Sequence, residues 1–289
     1  MNVLVTGSNG QLGSEIKELH KECKSCNFFF KDFNEVDICN YDELKTFILK
    51  NKIDSVINCA AYTSVDQAEN NKKIAKNVNS DGVHNIIKAL KFVNGKLIHI
   101  STDYVFDGNH FLPYKENDDV NPIGIYGKTK RDGELAITGS NLDAIVIRTS
   151  WLYSNFGNNF VKTMLKAGKQ KKNLNVIFDQ IGTPTYARDL ASICIKIISE
   201  CNSSKISRNG KIYHYSNEGV ASWFDFAQSI MELSNINCLI KPIQTKDYPT
   251  HAKRPYYSVL NKTKIKEDFN IEIPYWKDSL KDCLNKLKQ

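Results

Sequence analysis

Two runs hold the side chains best suited to acid chemistry: Ser101-Thr102-Asp103-Tyr104-Val105-Phe106-Asp107-Gly108 and Tyr126-Gly127-Lys128-Thr129-Lys130. A tyrosine four positions before a lysine on a helix puts both side chains on one face, a turn apart. A phenol ordinarily ionises near pH 10, too high for ready proton exchange at neutrality, and a neighbouring ammonium favours the phenolate. Two unit charges about 4 Å apart interact by about 4 kcal/mol at an effective dielectric near 20, so the spacing predicts a phenol lowered by about one to three pH units. That would bring it toward the pH at which a general acid works best. Alone the spacing carries little weight, because a chain with 13 tyrosines and 39 lysines and arginines produces it by chance. The plain alternative is an exposed helical pair.

Such a pair needs elements that hold it against a reactant. The chain opens on an apolar run at residues 2–6, followed by Gly7-Ser8-Asn9-Gly10-Gln11-Leu12-Gly13 and a helical pattern over 14–21. Strand, glycine-rich turn and helix is the arrangement in which amides at a helix N-terminus hold a pyrophosphate. The spacing G-x-x-G-x-x-G shifts the first glycine of the usual dinucleotide fingerprint, a form typical of extended short-chain dehydrogenases/reductases. A second strand at 27–31 ends at Asp32, where an acid bonds a ribose 2′-hydroxyl and favours NAD over NADP; Lys31 beside it suits a 2′-phosphate, so both stay open. Asp37 and Ile38, ahead of a helix capped near Asn40, are expected beside the adenine.

A third strand at 54–59 runs into Ala60-Ala61-Tyr62-Thr63, small residues that let the backbone approach a ligand in the crevice of an open sheet. A helix is predicted over 74–93. It carries Asn77 and Asn79 among apolar positions, and a buried asparagine there either ties strands together or touches substrate. Residues 96–101 form a fourth strand with Thr102 at its C-terminal edge, and the hydroxyl of Thr102 or Ser101 is placed to bond a substrate oxygen and the Tyr126 phenol. A helix over 125–137 carries Tyr126 and Lys130, and a fifth strand at 143–148 ends at Thr149-Ser150-Trp151. This β-α alternation predicts a Rossmann-like, doubly wound parallel sheet over residues 1–150. Residues 151–289 read mainly as a smaller α/β substrate-binding lobe, some segments of which return to the first domain. Helices are predicted there at 158–168, 186–199, 223–233 and 277–288, with a strand at 174–178.

Composition bounds the function. A 289-residue chain with 41% apolar residues can bury one large core or two unequal ones. Met1 enters an apolar strand pattern almost at once and no 18-residue apolar run follows, so a cytoplasmic protein without membrane contact is expected. The net charge of +7 comes from lysines spread along the chain. The densest group, Lys166, Lys169, Lys171 and Lys172, lacks interleaved aromatics, so no nucleic-acid module is suggested. Eight cysteines are present without paired CxxC spacing, since Cys23 and Cys26 have no second pair. That argues against zinc and for reduced structural thiols. The run His251-Ala252-Lys253-Arg254-Pro255 is a basic loop suited to a phosphate, or simply solvated.

Seven motifs, in order along nearly the whole chain, resemble the dTDP-4-dehydrorhamnose reductase family. They are Gly7-x-x-Gly10-Gln11-Leu12-Gly13; Ala60-Ala61-Tyr62-Thr63-x-Val65-Asp66-x-Ala68-Glu69; the 101–108 run; Tyr126-Gly127-x-x-Lys130; Arg148-Thr149-Ser150-Trp151-x-Tyr153; Gly157-Asn158-Asn159-Phe160; and Asp179-Gln180-x-Gly182-x-Pro184-Thr185. The resemblance implies an extended short-chain reductase that uses NADPH or NADH on the C4 ketone of dTDP-4-dehydro-L-rhamnose, completing dTDP-L-rhamnose. It implies that Tyr126 donates the proton, Lys130 holds the ribose and lowers the phenol, and Thr102 tunes the site. Gly10, Gln11, Leu12, Asp37, Ile38, Ala61, Tyr62 and Thr63 would line the cofactor, with Gly7 in the glycine turn. Thr102, Asp103 and Trp151 would contact the sugar, and Arg254 matches the family's C-terminal Arg-Pro arginine, although Tyr257 stands where an asparagine is common. Magnesium is compatible with the family but no ligand cluster is evident, and a homodimer is the default assembly.

Two other readings remain. A dTDP-glucose 4,6-dehydratase commonly has Asp-Glu after the threonine; here Tyr104 follows Asp103, which favours simple carbonyl reduction. A reductase of another nucleotide-linked 4-keto sugar, or a non-catalytic dinucleotide-binding subunit like the methionine adenosyltransferase beta subunit, would share the same glycine turn.

Overall fold

Apolar residues at successive positions of a short strand call for cover on both faces, and that is how the sheet is built. In the computed structural model, which describes residues 1–200 and 210–288, strands β1 (Asn2–Thr6), β2 (Asn27–Lys31), β3 (Ser55–Asn58), β4 (Lys96–Thr102) and β5 (Asp143–Thr149) run parallel. The helices between them are α1 (Gln11–Leu19), α2 (Tyr41–Lys50), α3 (Val65–Asn70), α4 (Lys72–Lys76), α5 (Gly82–Lys91) and α6 (Ile125–Thr138). Side chains alternate across the sheet with period two. Val3, Val5 and Ile57 face one layer, while Leu4 and Val56 join α2 and α5 on the other.

The second half begins with β6 (Leu152–Tyr153), α7 (Phe160–Gln170), β7 (Asn173–Ile177), β8 (Ile181–Gly182), β9 (Thr185–Tyr186) and α8 (Ala187–Ser199). Then come β10 (Lys211–His214), β11 (Ala221–Ser222), α9 (Trp223–Ser234), β12 (Leu239–Ile243), α10 (Thr263–Phe269) and α11 (Trp276–Lys288). Strand β10 pairs in parallel with β5, giving the six-stranded order β10-β5-β4-β3-β1-β2. Helices α8 and α10 bury Leu190, Cys194 and Ile265 in the core beside α1. A separate apolar cluster of Val161, Val176, Phe226, Ile230 and Leu280 lies under α7, α9 and α11. Among the described residues no helix is long and apolar enough to cross a membrane.

One predicted element is interrupted. The helix expected over 74–93 is broken by a π-helical turn at Asn77–Asp81. The widened turn buries Asn79, whose Oδ1 accepts from the Tyr62 amide at 2.8 Å while its Nδ2 donates to the Tyr62 carbonyl at 3.1 Å. An asparagine serving a loop's backbone on both sides has to leave the regular helical path.

Candidate active site

A cavity of about 820 Å³ opens where β1, β3, β4 and β5 end. This is the crevice in which open parallel sheets bind ligands. Its floor is the turn after β1. Gly7 has φ +60°, and a Cβ there would lie 2.7 Å from the Ala60 amide nitrogen; at Gly13 it would lie 2.5 Å from the Gly7 carbonyl oxygen. Only glycine lets these three backbones meet. Gly10 precedes α1 and no side chain caps the helix, which leaves the first-turn amides of Gln11, Leu12 and Gly13 at the cavity wall. Uncapped amides at the positive end of a helix fit a pyrophosphate.

The strand-end residues beside this turn are already engaged. The Asp32 carboxylate accepts from the Asn9 amide at 2.9 Å and the Phe33 amide at 2.8 Å, and Lys31 Nζ is 2.6 Å from Glu35 Oε1. Asp32, Asp37 and Ile38 line the cavity, as do Ala61, Tyr62 and Thr63. Asp37 also accepts from the Cys39 amide at 2.8 Å.

Across the cavity, α6 is pressed against the end of β4. Glu69 Oε1 accepts from the Ile125 amide at 2.9 Å and so caps the helix from α3. A Cβ on Gly127 would overlap the Tyr104 carbonyl oxygen. The ring of Tyr126 meets that of Tyr104 edge-on, with centroids 5.6 Å apart. Tyr126, Lys130, Thr102 and Asp103 all line the cavity and the last three are buried. Thr102 Oγ1 donates to Asp103 Oδ1 at 3.0 Å, while Asp103 Oδ2 is buried without a hydrogen-bond partner.

The electrostatics differ from the sequence expectation. Burial pushes the Tyr126 phenol up to about 12, with a hydrogen bond to Thr102 pulling it down and the Asp103 carboxyl adding to the rise. Lys130 does not bring the phenol down here. Its Nζ donates to the Ile100 carbonyl at 2.6 Å and lies 3.3 Å from His99 Nε2, and burial drops its own pKa to about 8. Desolvation is the largest influence on both groups, and Lys130 Nζ is engaged by Ile100 and His99 rather than by the phenol. The same burial raises Asp103 to about 6, with Ser258 and Thr102 partly relieving it.

A model of the RmlD substrate binding domain matches residues 1–289. The chain belongs to that family. A dTDP-4-dehydrorhamnose reductase of Aggregatibacter actinomycetemcomitans is 42% identical over 287 residues, covering 97% of each chain. A crystal structure of a dTDP-4-dehydrorhamnose reductase from Clostridium acetobutylicum aligns with a TM-score of 0.93 at 39% identity, covering 100% of both chains. One from Bacillus anthracis, in complex with NADP, aligns with a TM-score of 0.92 at 36% identity over 99% of both.

In this member of the family Trp151 has φ +47° and stacks on Trp223 with centroids 3.7 Å apart and planes 9° off parallel. Trp151 lines the cavity; Arg254 does not. The Arg254 guanidinium grips Asp66 of α3 with both arms, at 2.6 and 3.2 Å, and this pairing lowers the Asp66 carboxyl. Gln11 lines the cavity and also receives a bond from Asn159 Nδ2 at 2.9 Å, which ties the glycine turn to the Gly157-Asn158-Asn159 motif. Among the described residues no group of three or more histidine, cysteine or acidic side chains is placed to hold a metal ion.

Two positioning residues brace α6: Asn79, which the sequence offers as a buried tie, and Glu134, which escapes the sequence reading. Asn79 Nδ2 also donates to Thr129 Oγ1 at 3.1 Å, so one amide joins the 61–63 loop to the helix of Tyr126 and Lys130. Glu134, one turn beyond Lys130, accepts from Ser101 Oγ at 2.6 Å and takes both arms of Arg148 at 2.8 Å. Helical spacing from Lys130 was the available signal for Glu134, but its partners come from other strands.

Proposed function

We infer that the protein reduces the C4 ketone of dTDP-4-dehydro-L-rhamnose to dTDP-L-rhamnose with NADPH or NADH. One observation carries this reading: Tyr126, with Thr102 beside it, shares a single cavity with the uncapped N-terminus of α1. The nicotinamide, when bound, supplies the hydride. The first-turn amides of α1 hold the pyrophosphate, and Asp37, Ile38 and Ala61–Thr63 border the rest of the cofactor.

A phenol kept near 12 is fully protonated at working pH, so Tyr126 is loaded to give its proton to the oxygen of the former ketone. Lys130, which at about 8 stays mostly charged at neutrality, holds the cofactor ribose. Thr102 holds the phenol in place, and Asp103 and Trp151 meet the sugar. Tyr104 stands where a dehydratase would need a second carboxylate, and the intact Tyr126 and Lys130 distinguish the chain from a non-catalytic subunit.

The test is an assay with dTDP-4-dehydro-L-rhamnose and each nicotinamide in turn. Oxidation of either reduced nicotinamide with formation of dTDP-L-rhamnose is the expected result. Tyr126→Phe should lower kcat by about 10²–10⁴ while cofactor still binds; full turnover in the purified variant would remove Tyr126 from the mechanism.

Residues 1–150 would serve the cofactor and 151–289 mainly the sugar, a division supported by the separate apolar cluster under α7, α9 and α11. The cysteines of the described residues are unpaired, which suits the reducing cytoplasm. A homodimer is the default for such an enzyme, to be checked by sedimentation.

A further inference from the structure

Behind Lys130 a line of side chains crosses the sheet. Thr6, Asn58 and His99 occupy one level of the neighbouring strands β1, β3 and β4, as the register pairs Thr6 with Asn58 and Asn58 with His99. Their side chains are hydrogen-bonded in series: Thr6 Oγ1 donates to Asn58 Oδ1 at 2.7 Å, Asn58 Nδ2 is 3.0 Å from His99 Nδ1, and His99 Nε2 is 3.3 Å from Lys130 Nζ. All four residues are at most 1% exposed. Burial and the Lys130 charge hold the His99 imidazole neutral, well below its ordinary pKa.

A neutral imidazole has one N–H and one lone pair, and an ammonium has no lone pair. Counting donors then allows two arrangements of the same heavy atoms. If the Asn58 NH₂ faces His99, Nδ1 accepts, Nε2 carries the proton, and Lys130 must be an amine to receive it. If the Asn58 amide is turned by half a turn, its oxygen accepts from Nδ1–H and its NH₂ donates to Thr6. Nε2 is then free to accept from an ammonium. Nothing in Asn58 titrates, so passing from one arrangement to the other turns the Asn58 amide and moves the imidazole proton between Nδ1 and Nε2.

We propose that His99 is a positioning residue for the reduction: backed by Asn58 and Thr6, its Nε2 lone pair holds Lys130 as the ammonium, with the Asn58 amide turned half a turn from the orientation in which its Nδ2 faces Nδ1. What Lys130 does for the reaction rests on the reductase reading; how it is held does not. The other groups that act on the Lys130 charge are Glu134 from α6 and Cys59 from the end of β3, both favouring the ammonium. Glu134 is itself committed to Arg148 of β5. Tyr126 lies one turn earlier on α6.

The proposal gives two variants opposite signs. His99→Phe removes the acceptor, so the alkaline limb of the pH profile of kcat/KM should move down by about one to two pH units, the worth of a hydrogen bond to a charged group. His99→Gln, which can still accept, should restore most of the shift. Asn58→Asp presents only acceptors to His99, fixes the proton on Nδ1 and should move the limb up. An unmoved limb in both folded variants, or a shift of both in one direction, would overturn the proposal.

Should the variants not fold, or should the protein not reduce this sugar, ¹⁵N spectra of imidazole-labelled unmodified protein decide the matter without turnover. The expected spectrum has the His99 proton on Nδ1 at neutral pH. A proton on Nε2 there would refute it.

Discussion

Asp103 is an acid placed where water does not reach: it is 2% exposed and raised to about 6 from an ordinary 3.8. The folded protein therefore binds this proton more tightly than the unfolded chain, so stability falls as pH rises. The penalty is absent below about 3.8, grows toward about 6 and is complete above that, where two pH units amount to about 3 kcal/mol. Asp103→Asn should accordingly raise Tm at pH 8 and leave it unchanged at pH 3.5, while weakening sugar binding if the carboxyl contacts the substrate. Thermal melts at the two pH values check this; an equal gain at both would mean that the acid's charge is not the cause. The Tyr126 and Lys130 pair, Thr102 and Asp103 stand out by residue type and spacing. That burial would outweigh the lysine's charge does not, because desolvation depends on side chains from β3, β4 and the 258 region that no local pattern brings together.

At the level of elements, helix α6 owes its position to glycines that a helix does not otherwise favour, each costing about 0.5–1 kcal/mol against alanine. Gly127 lies on the Tyr104 carbonyl, and a Cβ at Gly133 would come 2.5 Å from the Asn79 carbonyl oxygen. Gly127→Ala should destabilise the protein by about 1–3 kcal/mol as an overpacking change, and should lower kcat more than cofactor affinity because the displaced turn carries Tyr126. Calorimetry with cofactor titration separates these effects, and an unchanged Tm would show that α6 is free to shift. The five strands and helices α1, α2, α5 and α6 of residues 1–150 were readable from short apolar runs and glycine turns, whereas the short α3 was not. The π-helical turn was not, since an asparagine bonding to a distant loop leaves no periodic trace. Strand β10 was missed for a related reason: four residues form too short a pattern, and only pairing with β5 makes them a strand.

For the whole molecule, the question is how the second half of the chain reaches the site in the first. The stack of Trp151 on Trp223 is one such link, since Trp223 begins α9 in the C-terminal cluster and Trp151 follows β5. Trp151 pays for this with a left-handed backbone, a strain of about 1–3 kcal/mol for a non-glycine residue that persists only where neighbours enforce it. The enforcers are visible: Thr185 N donates to the Trp151 carbonyl at 3.2 Å, Ser150 Oγ donates to the Thr183 carbonyl at 2.8 Å, and a Cβ on Gly182 would stand 2.7 Å from the indole. This is the physical content of the Gly182-x-Pro184-Thr185 motif, which the sequence displays without saying what it supports. With Trp151 meeting the sugar as proposed, Trp223→Ala should loosen the indole at the cavity wall while leaving the glycine turn untouched. An aromatic pair is worth about 0.5–1.5 kcal/mol beyond its buried area, so KM for the sugar nucleotide should rise about two- to twelvefold, with Kd for NADPH unchanged and Trp223→Phe recovering most of the loss. Paired measurements of KM and cofactor Kd check this. If NADPH affinity fell in parallel, the stack would be supporting the fold at large rather than carrying the C-terminal lobe's grip on the sugar.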